Sequence, residues 1–247
     1  MNCAIVETLE SRRLLSVAPV LTDGVLSVSG TTGDDKIRIS IGKDTSKLAV
    51  KVNGTVTLFS LSSITKIKVD GLAGDDTICI KQHHGGIDIA SELDGGDGDD
   101  KISGGNGNDL ISGGAGNDVL RGNSGDDVLS GGSGDDKISG GRGDDSLLGG
   151  ADNDKLRGGG GSDVLDGGKG KDRLRGGGGM DHFFGNDVIL DTNKNEKAHR
   201  FAQPIDWVDD GSSETDQGDG NANEPIWWDP EANTDDSGNP VDMPNIY

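Results

Sequence analysis

Residues 95–184 read GGDGDDKIS, GGNGNDLIS, GGAGNDVLR, GNSGDDVLS, GGSGDDKIS, GGRGDDSLL, GGADNDKLR, GGGGSDVLD, GGKGKDRLR and GGGGMDHFF, ten nonapeptides without an insertion. Asp stands at position 6 of every one, from Asp100 to Asp181 in steps of nine. Position 8 is always Ile, Leu or Phe, position 1 is always Gly, and position 4 is Gly in nine of the ten. A fixed period of this kind marks a solenoid, in which each repeat stacks on the next. Glycines at positions 1, 2 and 4 permit positive φ and close approach, so the first six residues are expected to turn tightly. Positions 7–9 are expected to form a short strand with position 8 alone facing inward. One nonapeptide cannot bury its single Leu or Ile, but copies stacked about 4.8 Å apart can.

Working outward, the composition agrees with a thin, repeated core. Of 247 residues only 30% are hydrophobic and 3% aromatic, and 30 of the 44 glycines fall within residues 95–184. The net charge of −21 argues against nucleic acid and anionic membrane surfaces as partners, and for cations. More than half of that charge lies in residues 185–247, which hold 15 acids and 3 bases. No apolar run approaches the length of a membrane-spanning helix, and Cys3 and Cys79 cannot staple a disulfide-dense scaffold.

Stacking repeats in register also stacks their aspartates. Like charges about 5 Å apart cost on the order of 1 kcal/mol per neighbour even in water, and more when partly buried. A positive ion between them is therefore expected. Calcium suits the donor set, because it takes carboxylate and carbonyl oxygens at a flexible coordination number. Magnesium demands a tighter octahedron, and zinc prefers the His and Cys that the repeats almost wholly lack.

The pattern GGxGxDxUx resembles the RTX (repeats-in-toxin), or haemolysin-type, calcium-binding repeats, over 90 unbroken residues. The resemblance implies an all-β fold, a parallel β-roll with two nonapeptides per right-handed turn. It also implies calcium between successive turns, held by position-6 carboxylates and glycine-turn carbonyls. On this basis Asp100, Asp118, Asp136, Asp154 and Asp172 line one edge, and Asp109, Asp127, Asp145, Asp163 and Asp181 the other. Four gaps per edge would set a ceiling of about eight Ca2+ ions. Departures cluster late: Asn123 replaces the second Gly, Asp152 the position-4 Gly, and position 5 becomes Ser162, Lys171 and Met180 in the last three repeats. Calcium affinity is expected to fall toward that end, making Asp154, Asp163, Asp172 and Asp181 the weaker ligands.

Residues 23–94 read as a β-rich cap. Val25–Val28, Ile37–Ile41, Leu48–Val52, Val56–Leu58, Ile64–Val69, Ile78–Ile80 and Ile87–Ile89 supply apolar or alternating runs, and Asn53-Gly54 signals a two-residue hairpin. Gly30–Ile37 and Gly71–Ile78 share the G-x-x-G-x-D-x-U frame of Gly95–Ile102, at start-to-start spacings of 41 and 24 residues. They read as wider rungs leading into the roll. Asp35 and Asp76 are then either further calcium ligands or parts of a capping segment.

Residues 1–22 form a leader without a standard secretory signal, since Arg12 and Arg13 interrupt it. Leu9–Leu15 resembles the LExRxLL element near the start of bacterial surface and exported proteins. The roll is expected to extend to residue 190, and residues 191–247, with three tryptophans among acidic clusters, read as a disordered tail. No G-x-S-x-G elbow, H-E-x-x-H or phosphate loop occurs, and His83-His84 reads as a loop pair. The expectation is a secreted or cell-surface calcium-binding module without catalysis, membrane insertion or nucleic-acid partner. Two alternatives stand beside it: a calcium-dependent adhesion or matrix protein with a surface partner, and a non-catalytic appendage of a secreted hydrolase or polysaccharide-modifying enzyme.

Overall fold

The computed structural model describes residues 18–41, 44–81 and 86–184, with the backbone of 188–189. Apart from a single 3-10 turn at Leu61–Ser63, its elements are strands. The first seven are β1 (Val20–Thr22), β2 (Val25–Ser29), β3 (Lys36–Ile41), β4 (Lys47–Val52), β5 (Thr55–Ser60), β6 (Lys66–Asp70) and β7 (Thr77–Lys81). The next six are β8 (Ser91–Asp97), β9 (Lys101–Ser103), β10 (Leu110–Ala115), β11 (Val119–Ser124), β12 (Val128–Ser133) and β13 (Lys137–Arg142). The series closes with β14 (Ser146–Ala151), β15 (Lys155–Gly160), β16 (Val164–Lys169), β17 (Arg173–Gly178), β18 (His182–Phe184) and β19 (Val188–Ile189).

These strands build two facing sheets. One has nine strands in the order β1-β2-β6-β8-β10-β12-β14-β16-β18, and the other has ten, β19-β17-β15-β13-β11-β9-β7-β3-β4-β5. From β8 onward the chain gives one strand to each sheet in alternation, so two nonapeptides complete one turn. The parallel registers Ile111↔Leu129, Leu120↔Ile138 and Leu129↔Leu147 show the offset of 18 residues directly. The repeats thus form the solenoid expected from their period, and its parallel strands are those the RTX resemblance implies, with about five turns over residues 92–184.

Position 8 is buried in all ten repeats, from Ile102 to Phe183. Each such side chain contributes roughly 1.5–3 kcal/mol when fully removed from water, and the ladder adds one at every rung. The strands are longer than expected. From β10 to β17 they run through positions 7–9 and on through positions 1–3, leaving a turn of only three residues. The reason is that glycines at positions 1 and 2 stay in register with their counterparts 18 residues away, as in Gly114↔Gly132, and continue the backbone ladder. Period-two alternation then carries through the turn, so positions 6 and 1 face inward along with position 8.

The N-terminal strands share this core. Ile37 pairs with Ile78 and Ile78 with Ile102, at the offsets of 41 and 24 residues read from the degenerate frames. The longer offset is taken up by the antiparallel strands β4 and β5, joined through Asn53 (φ 48) and Gly54 (φ 93), both left-handed as the hairpin turn requires. Both sheets run on across residues 94 and 95, and β8 spans that point. Two details differ from the apolar runs. Val56 and Leu58 point to solvent on the edge strand β5, and Ile87 enters the core from a segment that is not a strand. At the far end β19 pairs with β17 through Leu174↔Ile189 and Phe183 closes the core. Residues 1–17, His83-His84 and 190–247 lie outside the described residues, and with them the LExRxLL-like element and the acidic tail.

Candidate metal centre

Each turn brings one aspartate inward. Asp35, Asp76 and all ten position-6 aspartates are buried, none more than 4% exposed. They stand in two ladders, one along each edge of the roll. In the first, the backbone N–H groups of Asp35, Asp76, Asp100, Asp118, Asp136 and Asp154 each donate to Oδ1 of the next member, ending at Asp172. In the second, Asp109, Asp127, Asp145 and Asp163 do the same, ending at Asp181. Donor–acceptor distances in both ladders are 2.7–3.0 Å. The division of aspartates between the edges is the one implied by two nonapeptides per turn.

The other oxygen of these carboxylates has no such partner. Among the described residues, Oδ2 of Asp76, Asp100, Asp118, Asp127, Asp136, Asp145, Asp154, Asp163, Asp172 and Asp181 is buried and accepts no hydrogen bond. Leaving one buried acceptor unmet costs about 1–3 kcal/mol, and more when it is charged. Ten such atoms in register are a demand for positive charge. The two leading aspartates are the exceptions. Thr31 donates to Asp35 Oδ2 through N–H (2.5 Å) and hydroxyl (3.0 Å), and Asn53 donates to Oδ1. Asp109 Oδ2 accepts from Gly105 N–H at 2.7 Å. Asp76 therefore groups with nine of the ten repeat aspartates, while Asp35 and Asp109 have their Oδ2 atoms met within the chain.

Glycine carbonyls complete the surroundings. A methyl group on Gly131 would overlap Asp136 Oδ2 and lie 2.6 Å from the Gly149 carbonyl oxygen, and Gly95, Gly113 and Gly122 repeat the arrangement. Two oxygen acceptors thus converge beside Gly95, Gly104, Gly113, Gly122, Gly131 and Gly149. No group of three or more His, Cys, Asp or Glu side chains that could by themselves hold a metal ion occurs among the described residues, so main-chain carbonyls would have to supply part of any donor set. One carboxylate per turn beside main-chain carbonyls is a hard-cation donor set of the kind calcium takes.

Burial raises the pKa values of these carboxylates, because the charged form loses its water. Asp127 is pushed up to about 8, Asp76, Asp136 and Asp145 to about 7, and Asp100, Asp154 and Asp163 to about 6. The backbone N–H bonds pull the other way, and neighbouring rungs add to the rise. Asp109 and Asp118 are also raised, again by burial first.

Position 5 forms a second, outer ladder of opposite polarity. Here each backbone N–H donates back to the preceding rung's side-chain oxygen, through Asp34, Asp75, Asp99, Asn117, Asp135 and Asn153 to Lys171 on one edge. The other edge runs from Asn108 through Asp126 and Asp144 to Ser162. An acceptor two atoms beyond Cβ is needed, which accounts for Asp or Asn in the first seven repeats. Lys171 donates its N–H but offers no acceptor onward. Exposed Asp99 and Asp135 sit below the usual carboxylate range because the backbone and side chains of Asn117 and Asn153 donate to them.

Ser91 leads the second inner ladder, and the repeat frame alone passes it over. Its N–H and hydroxyl both donate to Asp109 Oδ1 at 2.8 Å. The signal was available: cut nine residues before Gly95, the chain reads GIDIASELD, with Gly86 and Leu93 in their repeat positions and Ser in place of Asp. Asn123 and Asp152, the two substituted turn positions, adopt the glycine-like φ of 87° and 78°. Asn123 recovers part of the cost by donating to the Gly104 carbonyl at 2.8 Å.

A parallel β-solenoid with stacked carboxylates and carbonyls in its turns defines a cation-binding β-roll. Residues 92–120, 121–156 and 157–189 match the family described as RTX calcium-binding nonapeptide repeat (4 copies). The chain carries a block of RTX-type calcium-binding repeats over those residues. No curated protein and no solved structure matches the chain.

Proposed function

We propose that calcium is held in the turns by the carboxylates of Asp76, Asp100, Asp118, Asp136, Asp154 and Asp172 on one edge and Asp127, Asp145, Asp163 and Asp181 on the other, with glycine carbonyls, that Asp109 joins them by exchanging its Gly105 N–H for the ion, and that folding is coupled to this binding. The observation that carries the reading is the set of ten buried carboxylate oxygens without a hydrogen-bond donor. Calcium supplies the missing positive charge, and formation of the turns creates the ion's ligands, so metal and fold stabilise each other. The module acts as a structural and binding unit, without catalysis of its own. Affinities in the range of extracellular modules, about 10⁻⁴–10⁻³ M, would leave it unfolded where calcium is scarce and folded after export to the surface or medium.

Far-UV circular dichroism of the chain during a calcium titration from excess chelator tests this. A cooperative gain of β signal that magnesium does not reproduce is expected. In the Asp127→Asn variant the transition should shift to roughly tenfold higher calcium, a loss of about 1.4 kcal/mol. A chelated chain that is already β-rich and resists protease would overturn the coupling.

A further inference from the structure

The outer face of the ten-stranded sheet is basic, although the whole chain carries a charge of −21. Each of β3, β4, β7, β9, β11, β13, β15 and β17 holds at least one Lys or Arg, and no strand of this sheet holds Asp or Glu. The strand acids sit on the other sheet, at Asp70, Glu92, Asp94, Asp97 and Asp166. Register sets cation against cation: Lys137 faces Lys155, Lys155 faces Arg173, Arg157 faces Arg175, and Arg38 faces Lys51. All are exposed. Like charges at facing positions destabilise a sheet unless something anionic lies across them. Among the described residues both salt bridges, Lys66 and Lys68 with Glu92, belong to the nine-stranded sheet, and on the basic face Lys101 and Lys155 have only the longer-range attraction of Asp99 and Asp135. The acids flanking the face are in the turns, where Oδ1 of Asp99, Asp126, Asp135 and Asp144 already accepts backbone N–H groups.

The face also has relief. Arg121, Asn123, Ser124, Ser139 and Arg142 are among the residues lining a cleft of about 460 Å³, where the Asn123 amide N–H is donated to Ser103 and the Gly104 carbonyl. A second hollow is bordered by Lys36, Arg38, Lys51 and Asn53.

We propose that this face binds a linear acidic polysaccharide, its carboxylates or sulfates lying on the Lys and Arg rows and its hydroxyls on the Ser and Asn side chains between them. Charge complementarity selects a polyanion. The side chains select among polyanions. Single-stranded nucleic acid is held by aromatic stacking, and no aromatic residue occurs in β7, β9, β11, β13, β15 or β17. A flat sheet face has no helix or ribbon to enter a duplex groove. A saccharide needs what is present, hydrogen-bonding groups in register with fixed cations. The inference rests on the calcium reading in one respect: calcium in the turns removes the flanking negative field, so binding should be strongest with calcium.

Retention of the full chain on immobilised chondroitin sulfate, in saturating calcium and at rising salt, tests this. Retention that salt abolishes is expected. Replacing Arg121→Gln, Arg157→Gln and Arg175→Gln together should weaken it by roughly tenfold, since each exposed pair contributes modestly. Lys66→Gln with Lys68→Gln, on the other sheet, should leave it unchanged. Circular dichroism of each variant confirms the fold and separates the two readings, because a chain that is β-rich without calcium and still retained keeps this inference and removes the calcium one. A folded chain that is not retained at low salt overturns the proposal. So does a triple variant retained as well as wild type, or tighter binding to a single-stranded oligonucleotide or to phosphatidylserine vesicles.

Discussion

Position 1 of each nonapeptide is glycine for a reason of packing rather than of backbone freedom. Gly131 has an ordinary φ, but a side chain there would overlap the Asp136 carboxylate and press on the Gly149 carbonyl in the next turn. The residue that must be absent is the one that would fill the space where the two oxygens converge. Gly160, at position 3, has an ordinary φ and no atom within 4 Å of where a Cβ would stand. Gly131→Ala is therefore expected to cost about 2 kcal/mol or more, as overpacking does. Gly160→Ala should be neutral or stabilising by up to about 1 kcal/mol, because it restricts the unfolded chain without a clash. Chemical denaturation of both variants in calcium makes the comparison, and equal losses would mean that position 1 is not a shaped cradle. The repeat made the glycine visible, while its contact partner, a turn away, was not.

At the scale of the element, the inner aspartate ladder governs how the roll responds to pH. Seven of its carboxylates, those of Asp76, Asp100, Asp127, Asp136, Asp145, Asp154 and Asp163, lie at about 6–8 in the calcium-free fold against 3.8 in the unfolded chain, chiefly through burial. The fold therefore binds more protons than the unfolded chain between these limits. Its stability is fully present below about pH 4 and is lost as pH rises through the folded values of 6–8. Acid should accordingly substitute in part for calcium. In chelator, lowering the pH from 8 to 5 is expected to raise β content and melting temperature, while the calcium needed for folding should rise as protons compete for the same oxygens. Loss of β signal on acidification in chelator would contradict this. Alternation along a three-residue strand foresaw the inward position 8 and stopped there. It left the carboxylates on the rim, because it did not foresee that glycines would pair as strand and carry the alternation into the turn.

The whole molecule is a stack whose ends differ. The outer ladder has Asp or Asn at every rung up to Asn153 and then meets Ser162 and Lys171. Stability in a solenoid is close to a sum over neighbouring rungs. The C-terminal turns should therefore exchange amide hydrogens first as calcium is withdrawn, and Leu174 should lose protection at higher calcium than Leu120. Hydrogen exchange at stepped calcium concentrations checks the order, and simultaneous loss along the roll would refute it. The nonapeptide period by itself determined the rung and the residue that enters the core, and the resemblance to RTX repeats, with two nonapeptides per turn, implied the offset of 18. The two degenerate frames likewise predicted Ile37 over Ile78 over Ile102. These were legible because every core contact of a solenoid recurs at a constant distance along the chain. What only the tertiary structure decided depends on neighbours in space. The burial of the carboxylates follows from how adjacent turns close on each other. The segregation of charge follows from odd and even repeats falling on opposite sheets, which places Lys137, Lys155 and Arg173 side by side. A net charge summed over the chain averages the two faces together, and only their separation in space makes one of them basic.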